Sequence, residues 1–216
     1  MNLTFSIMGL LGGVLCAIGD ILLDLKGNGN LKLGTSKNID SNWIQMSDWR
    51  FGISILCAMI GDAGVGLGIF SLGIQIAENS PILGNITIYT GYFGAIAGIF
   101  IHSLLCIQAL IYKGIMRRGS LEIADDALET MYKQVTAPFF ISYIILMVPA
   151  ITTIIAIITN NISVPLWCIL LNPIVFTFIG IGFRKINPVV FQDLPGICMP
   201  SLGLAMLGLI GMINLL

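Results

Sequence analysis

The chain alternates between long apolar runs and shorter polar segments. A helix needs about 20 mostly apolar residues to cross the hydrocarbon core of a bilayer, and six runs of this chain have about that length or more. The six predicted membrane segments are residues 3–25, 50–77, 82–112, 137–159, 164–183 and 196–216. The pattern therefore predicts an all-α fold, a polytopic membrane helix bundle in which residues 1–216 form a single transmembrane domain.

The polar segment before the fourth run has a helical pattern of its own. Apolar residues recur there at steps of three and four, at Leu121, Ala124, Leu128, Met131 and Val135. This period places them on one face of a helix, with the acidic residues of the segment off that face. We therefore expect a short amphipathic helix along the cytoplasmic surface.

The fifth run is interrupted by Asn172-Pro173. Proline lacks a backbone N–H and its ring clashes with the preceding turn of a helix. We therefore expect a broken or kinked helix, with backbone carbonyls released near residues 169 and 170.

The basic residues test the arrangement of the segments. They are Lys26, Lys32, Lys37, Arg50, Lys113, Arg117, Arg118, Lys133, Arg184 and Lys185. All ten lie in the first, third and fifth connecting loops or at their borders. Because cytoplasmic loops are enriched in Lys and Arg, these three loops are predicted to be cytoplasmic and both termini outside. Trp43 and Trp49 of the first loop suit a membrane–water interface.

Composition and charge agree with a multi-pass protein of the cell membrane. Hydrophobic residues make up 56% of the chain and charged residues only 10%, whereas a soluble domain has about 25% charged residues. The mean hydropathy is +0.97. The net charge of −1 gives no reason to expect a nucleic-acid partner. The expected partners are the lipid bilayer and a small-molecule or lipid ligand.

Glycine pairs spaced by four residues occur in the second and third segments. They are Gly64-x-x-x-Gly68 and Gly94-x-x-x-Gly98. Such pairs let helix backbones approach closely. The pattern fits packing of the second segment on the third within one chain, and it also fits a pore lining or a homo-oligomer through these glycine-rich helices.

Four polar residues lie inside predicted membrane segments: Asp20, Asp62, His102 and Asn172. An ionised side chain at the bilayer centre costs about 2.5–3.5 kcal/mol on insertion scales, so such residues usually face a bundle interior or a cavity. At about 1.5 Å per residue, all four lie roughly 9–18 Å from the cytoplasmic ends of their segments. We expect them to converge on one pocket, with Asp20 beside Asp62, which ends a similar Gly-Asp phrase in the next segment.

Three further polar residues are secondary candidates. Asp24 lies two residues before Lys26, so we expect it at the headgroup level, paired with a basic residue of the loop. Gln75 and Gln108 are expected to hydrogen-bond between helices.

These residues support three classes of function. Asp20, Asp62 and His102 fit a three-ligand metal site with an open position, which would activate water in an intramembrane lipid hydrolase. Without metal, the same groups fit a proton relay or cation site that binds or transports a small solute, ion or lipid. In a structural or interaction subunit they would only lock the bundle together. The sequence does not identify a cofactor.

The pattern as a whole resembles a known family. The features that it shares are Gly19-Asp20-Ile21-Leu22-Leu23, Trp43 in the first loop, Ser47-Asp48-Trp49-Arg50, His102 and Asn172-Pro173. They resemble an uncharacterised family of bacterial six-span membrane proteins, a domain of unknown function. The resemblance implies the span count and adds Trp49 and Arg50 to the candidates, but it implies no activity. The Gly-Asp-x-x-Leu phrase is also similar to lysoplasmalogenase-type intramembrane hydrolases.

Overall fold

The computed structural model describes residues 1–187 and 198–216. Within these ranges the chain forms six α-helices: α1 (Asn2–Asp24), α2 (Asp48–Ala77), α3 (Pro81–Met116), α4 (Leu121–Ile158), α5 (Pro173–Ile186) and α6 (Met199–Ile213). The predicted start of the sixth segment, at residue 196, lies outside the described residues.

Four of the helices are long and apolar enough to cross a membrane. They are α1, α2, α3 and α4, with 23, 30, 36 and 38 residues. The helices α5 and α6 are shorter, with 14 and 15 residues. The helical character of the fold is confirmed, and the four long helices indicate a membrane-embedded protein.

The fifth predicted segment is broken at the Asn-Pro pair. A short 3-10 turn covers Leu166–Leu170, and α5 then begins at Pro173. The side chain of Asn172 caps the new helix, because its Oδ1 accepts a hydrogen bond of 2.9 Å from the N–H of Ile174. Proline is favoured at a first helical position, so the pair both ends one element and starts the next.

The structure corrects the prediction of a separate surface helix. The amphipathic stretch and the fourth segment form one continuous helix, α4, which contains Pro138 and Pro149. Ser120 caps its start by accepting a hydrogen bond from the N–H of Ile123. Ala124 and Leu128 are fully buried and belong to a cluster at one end of the bundle. The apolar stripe therefore packs against protein and extends the membrane helix.

The first loop is folded. It contains the antiparallel hairpin β1 (Lys32–Leu33) and β2 (Ile39–Asp40), followed by a 3-10 turn. Trp43 in that turn is only 2% exposed and contacts Tyr112 edge to face. The hairpin folds back over the helix ends and buries this ring, so Trp43 packs against protein, and its depth relative to the membrane stays a prediction.

The same loop is hydrogen-bonded to the first turns of α4. The backbone N–H and hydroxyl of Thr35 donate to Asp125 at 2.9 and 2.8 Å. The N–H of Ser36 donates to Glu129 at 3.1 Å. We call the end of the bundle formed by residues 25–47, the α3–α4 turn and the last turn of α5 the basic end.

Glycines bring α1 into backbone contact with its neighbours. A Cβ on Gly68 would lie 2.5 Å from the Cα of Gly9, and a Cβ on Gly64 would lie 3.1 Å from the Cα of Gly12. The Gly64-x-x-x-Gly68 pair therefore packs α2 on α1, whereas the sequence pointed to α3. Side by side, the helices follow the order α5, α6, α1, α2, α3 and α4, and α4 touches α5 only sparsely.

Candidate functional site

A cavity of about 340 Å³ lies inside the bundle, with side chains from all six helices in its wall. Asp20 of α1, Asp62 of α2 and His102 of α3 all line it. We call it the inner cavity. The structure thus brings together three of the four residues that the sequence selected.

Asp20 and His102 form a hydrogen-bonded pair in this cavity. Asp20 Oδ1 lies 3.3 Å from His102 Nδ1, and the two side chains are 18% and 9% exposed. The other carboxyl oxygen of Asp20 accepts a hydrogen bond of 2.6 Å from the hydroxyl of Ser201. The partners of Asp20 are therefore His102 and Ser201, although the sequence pointed to Asp62.

Ser54 holds the far side of the imidazole ring. Its Oγ lies 2.6 Å from His102 Nε2 and donates its proton to the carbonyl of Gly19 at 2.7 Å. Because the hydroxyl has a single proton, Ser54 accepts the hydrogen bond from His102, and Nε2 must be protonated. A hydrogen bond between Nδ1 and Asp20 then requires one further proton, which either residue can carry.

Asp62 lies at the middle of α2 and is 5% exposed. It makes no ion pair with any described residue, and its carboxyl group accepts a hydrogen bond of 3.5 Å from the thiol of Cys16. A Cβ on Gly98 would lie 2.7–2.8 Å from the atoms of this carboxyl group. Gly98 therefore gives Asp62 its place between α2 and α3.

Asn172 does not join the other three candidates. Its side-chain N–H donates to the carbonyl of Ala150 at 2.9 Å, and its oxygen caps α5. Both ends of the amide thus form hydrogen bonds that stabilise the helix break. Asn172 does not line the inner cavity. The expected convergence is wrong for this residue.

A second, larger cavity of about 560 Å³ lies next to the inner cavity, at the basic end. We call it the outer cavity. The two cavities share the lining residues Leu23, Asp24, Leu105, Phe139 and Arg184. They are therefore neighbouring compartments of one polar region that extends from the basic end to Asp62.

Two secondary candidates take structural positions beside this region. Asp24 forms an ion pair with Lys26, as the sequence predicted. Arg50 donates to three carbonyls at the end of α1, those of Ile21, Leu22 and Leu25, at 3.3, 3.0 and 2.8 Å.

The remaining secondary candidates lie away from the three site residues. The side chain of Gln75 joins α2 to α6 through a hydrogen bond of 2.8 Å from Asn214. Gln108 lines the outer cavity and accepts a hydrogen bond from Tyr132 of α4. Both glutamines therefore link helices as predicted, whereas Trp49 is 62% exposed on the surface of α2.

The geometry does not fit the metal site that the sequence allowed. Among the described residues, no three His, Cys, Asp or Glu side chains are arranged to hold a metal ion. Both ring nitrogens of His102 already face Asp20 and Ser54, whereas Asp62 binds Cys16.

Sequence reasoning missed Ser54, Ser201 and Cys16. A signal existed for Ser54, because it lies eight residues before Asp62 and both belong to the buried face of α2. Ser201 is in the first turn of an apolar helix, where a single serine is unremarkable. Its contact with Asp20 depends on how α6 packs on α1.

Comparison with known proteins places the chain by family. No curated protein and no solved structure matches it. The sequence pattern of one family matches residues 1–216, the whole chain. The protein therefore belongs to this family, which is described as a family of unknown function (DUF6796).

Proposed function

We propose that this protein is a carrier that binds a small solute, ion or lipid in the inner cavity and exchanges a proton with it. One observation supports this function above all: Asp20, Asp62 and His102 line the same cavity within the bundle. Ionisable groups inside membrane proteins are typical of substrate pathways and proton relays.

The environment of Asp62 favours exchange with an incoming ligand. A buried carboxylate without a basic partner is unfavourable, so the group is stabilised by a bound proton or by a cation. Asp62 has a thiol as its hydrogen-bond partner, which offers little compensation. A proton that enters through the outer cavity would neutralise the carboxyl group of Asp62.

Access to the site is one-sided. From Asp62 the polar region extends towards the basic end through the outer cavity. Towards the opposite end, Gly9 packs on Gly68, and Gly208 packs on Leu10, so the backbones of α1, α2 and α6 are in contact. A midplane site that is open to one side at a time is the arrangement used by carriers. By the positive-inside rule, we expect the basic end to be cytoplasmic.

Proton movement across proteoliposomes tests this function, with the proton itself as the probe. Liposomes containing a pH-sensitive dye receive an external acid pulse, and wild-type protein should accelerate internal acidification. Asp62→Asn should reduce this flux to near the level of protein-free liposomes. Glu78→Gln, at the α2–α3 turn, is the matched control and should keep it. Equal fluxes in wild type and Asp62→Asn would contradict the carrier, and a change in thermal stability alone would support a purely structural role.

A second candidate function is metal-free hydrolysis of a membrane lipid. The order Asp20–His102–Ser54 repeats the hydrogen-bond order of a Ser-His-Asp triad. Ser54, however, is 0% exposed and donates its proton to Gly19. A nucleophile in this position cannot meet a substrate, so Asp20 and His102 would have to activate water.

Lipid hydrolysis can be measured directly. Purified protein is incubated with lysophosphatidylcholine micelles, and the release of the acyl chain is followed. The carrier proposal predicts no release above a protein-free control. Release that is lost in His102→Ala and retained in Ser54→Ala would support the hydrolase that activates water.

A further inference from the structure

Arg184 lies where the two cavities meet. It is in the last turn of α5 and lines both the outer and the inner cavity. Its guanidinium group makes no hydrogen bond or ion pair with the described part of the chain. A guanidinium group has five N–H donors, which suit carboxylate and phosphate oxygens.

The other charges of the outer cavity balance one another. Lys26 and Lys32 approach Asp40 at 3.4 and 3.0 Å, and Lys26 also pairs with Asp24. The two lysines therefore neutralise the two aspartates. Among the described residues that line the outer cavity, Arg184 therefore carries one positive charge that no aspartate offsets.

Uncharged hydrogen-bond donors in the wall of the outer cavity also favour an anionic ligand. The amides of Asn30 and Asn38 line the outer cavity together with Arg184. Trp43 is also in its wall, and the N–H of its indole ring is buried without a partner among the described residues. A buried donor without a partner is unusual, and an anionic oxygen nearby would provide an acceptor.

The cavities also have an apolar side. Phe139 and Phe140 of α4 line the outer cavity, and Ile181 of α5 lines the inner one. Because α4 and α5 touch only sparsely, the wall between these helices is thin. Phe140 and Phe178 are 61% and 67% exposed on the two helices, as expected for side chains that face lipid. An acyl chain can lie against this side.

We propose that the outer cavity binds the phosphate group of an amphiphile, with Arg184 as its counter-charge and the apolar tail between α4 and α5. This inference rests on the proposed function, since it names the class of molecule that enters the cavities. The recognised chemistry is a phosphate group, which a lipid headgroup or free phosphate can supply.

The chain offers its own probe of this site. It contains three tryptophans, and the other two, Trp49 and Trp167, are exposed. In a Trp49→Phe, Trp167→Phe background, fluorescence therefore reports on Trp43 in the wall of the outer cavity. This protein in detergent is titrated with lysophosphatidic acid, with inorganic phosphate and with uncharged monoacylglycerol. Thermal shifts of wild-type protein with the same three compounds provide a second readout if the background variant does not fold.

Lysophosphatidic acid should change the emission of Trp43 saturably, and monoacylglycerol should not. Arg184→Gln should weaken the apparent affinity at least about tenfold, because it removes a charge-assisted contact. Lys185→Gln is the matched control, since it removes the same charge from the next residue, which lines neither cavity, and it should bind as wild type does.

An equal response in Arg184→Gln and wild type, or an equal response to monoacylglycerol, would overturn the inference. A response to inorganic phosphate as strong as that to lysophosphatidic acid would contradict an amphiphilic ligand and would show that the site binds a free anion. The two proposals fail separately. Asp62→Asn should still bind lysophosphatidic acid. If the wild-type protein does not bind lysophosphatidic acid but its proton flux still depends on Asp62, the phosphate site is wrong and the carrier proposal stands.

Discussion

The carboxyl group of Asp62 fits between α2 and α3 because residue 98 has no side chain. A Cβ at this position would overlap all three carboxyl atoms. In contrast, a Cβ on Gly114, near the end of the same helix, would meet nothing within 4 Å. Two glycines of one helix thus have different roles, one making space for the site and one without a steric requirement.

Gly98→Ala should therefore destabilise the protein, by about 1–3 kcal/mol as for other overpacked sites, and should reduce proton flux by displacing Asp62. Gly114→Ala should be neutral or stabilising by up to about 1 kcal/mol, because alanine is the better helix former. Thermal unfolding in detergent and the liposome assay measure both effects. Equal behaviour of the two variants would show that Asp62 does not occupy the place described.

At the residue scale, the sequence was sufficient to select Asp20, Asp62 and His102, because ionisable side chains in apolar segments are rare and costly. It did not separate them from Asn172, since a capping amide and a cavity amide look alike in sequence. The spacing of Ser54 from Asp62 was visible in the sequence, but its hydrogen bond with His102 was not, because that bond depends on the contact of α2 with α3.

At the scale of elements, α1 ends in contact with a residue of α2. Arg50 donates to three carbonyls in the last turn of α1, where a helix leaves carbonyl groups without partners and its dipole favours a positive charge. Asp20 is four residues from this end. Arg50 thus fixes the segment that positions one member of the Asp20–His102 pair.

Arg50→Gln should lower stability by about 1–3 kcal/mol, since three carbonyls at the end of α1 lose charge-assisted hydrogen bonds. Arg50→Lys should recover only part of this, because an ammonium group cannot reach three carbonyls with the geometry of a guanidinium. The control is Arg118→Gln, an exposed arginine of the α3–α4 turn. Thermal unfolding measures all three variants, and a melting temperature of Arg50→Gln equal to that of the control would contradict this role.

The boundaries of the elements could be predicted only in part. Apolar length located the four long helices, and the Asn172-Pro173 pair located the helix break. The pattern divided α4 in two because acidic residues and Pro138 separate its halves. The stripe at Ala124 and Leu128 showed an apolar face, but it did not show whether lipid or protein covers that face.

For the whole molecule, membrane topology remains a prediction that follows from the distribution of Lys and Arg. The hairpin loop at the basic end should be cytoplasmic, and the turn after α4 should be outside. Ser36 and Ser163 are exposed residues at these two places. The native cysteines are all buried, which leaves a low background for thiol labelling.

In intact cells, a membrane-impermeant maleimide should therefore label Ser163→Cys and should leave Ser36→Cys unlabelled until the cells are permeabilised. The two variants are matched controls for each other, because both replace an exposed serine in a loop. The opposite pattern would reverse the orientation, and labelling of both residues in intact cells would contradict an odd number of crossings between them.

The proposed carrier function requires that Asp62 is a reactive carboxyl group in a cavity inside the helix bundle. Dicyclohexylcarbodiimide tests this directly, because it enters apolar environments and modifies protonated carboxyl groups. Mass spectrometry of the labelled protein should find the adduct on Asp62, at a level that rises in step with the loss of proton flux. Modification confined to surface carboxylates such as Glu78, with Asp62 unmodified and flux unchanged, would contradict the account.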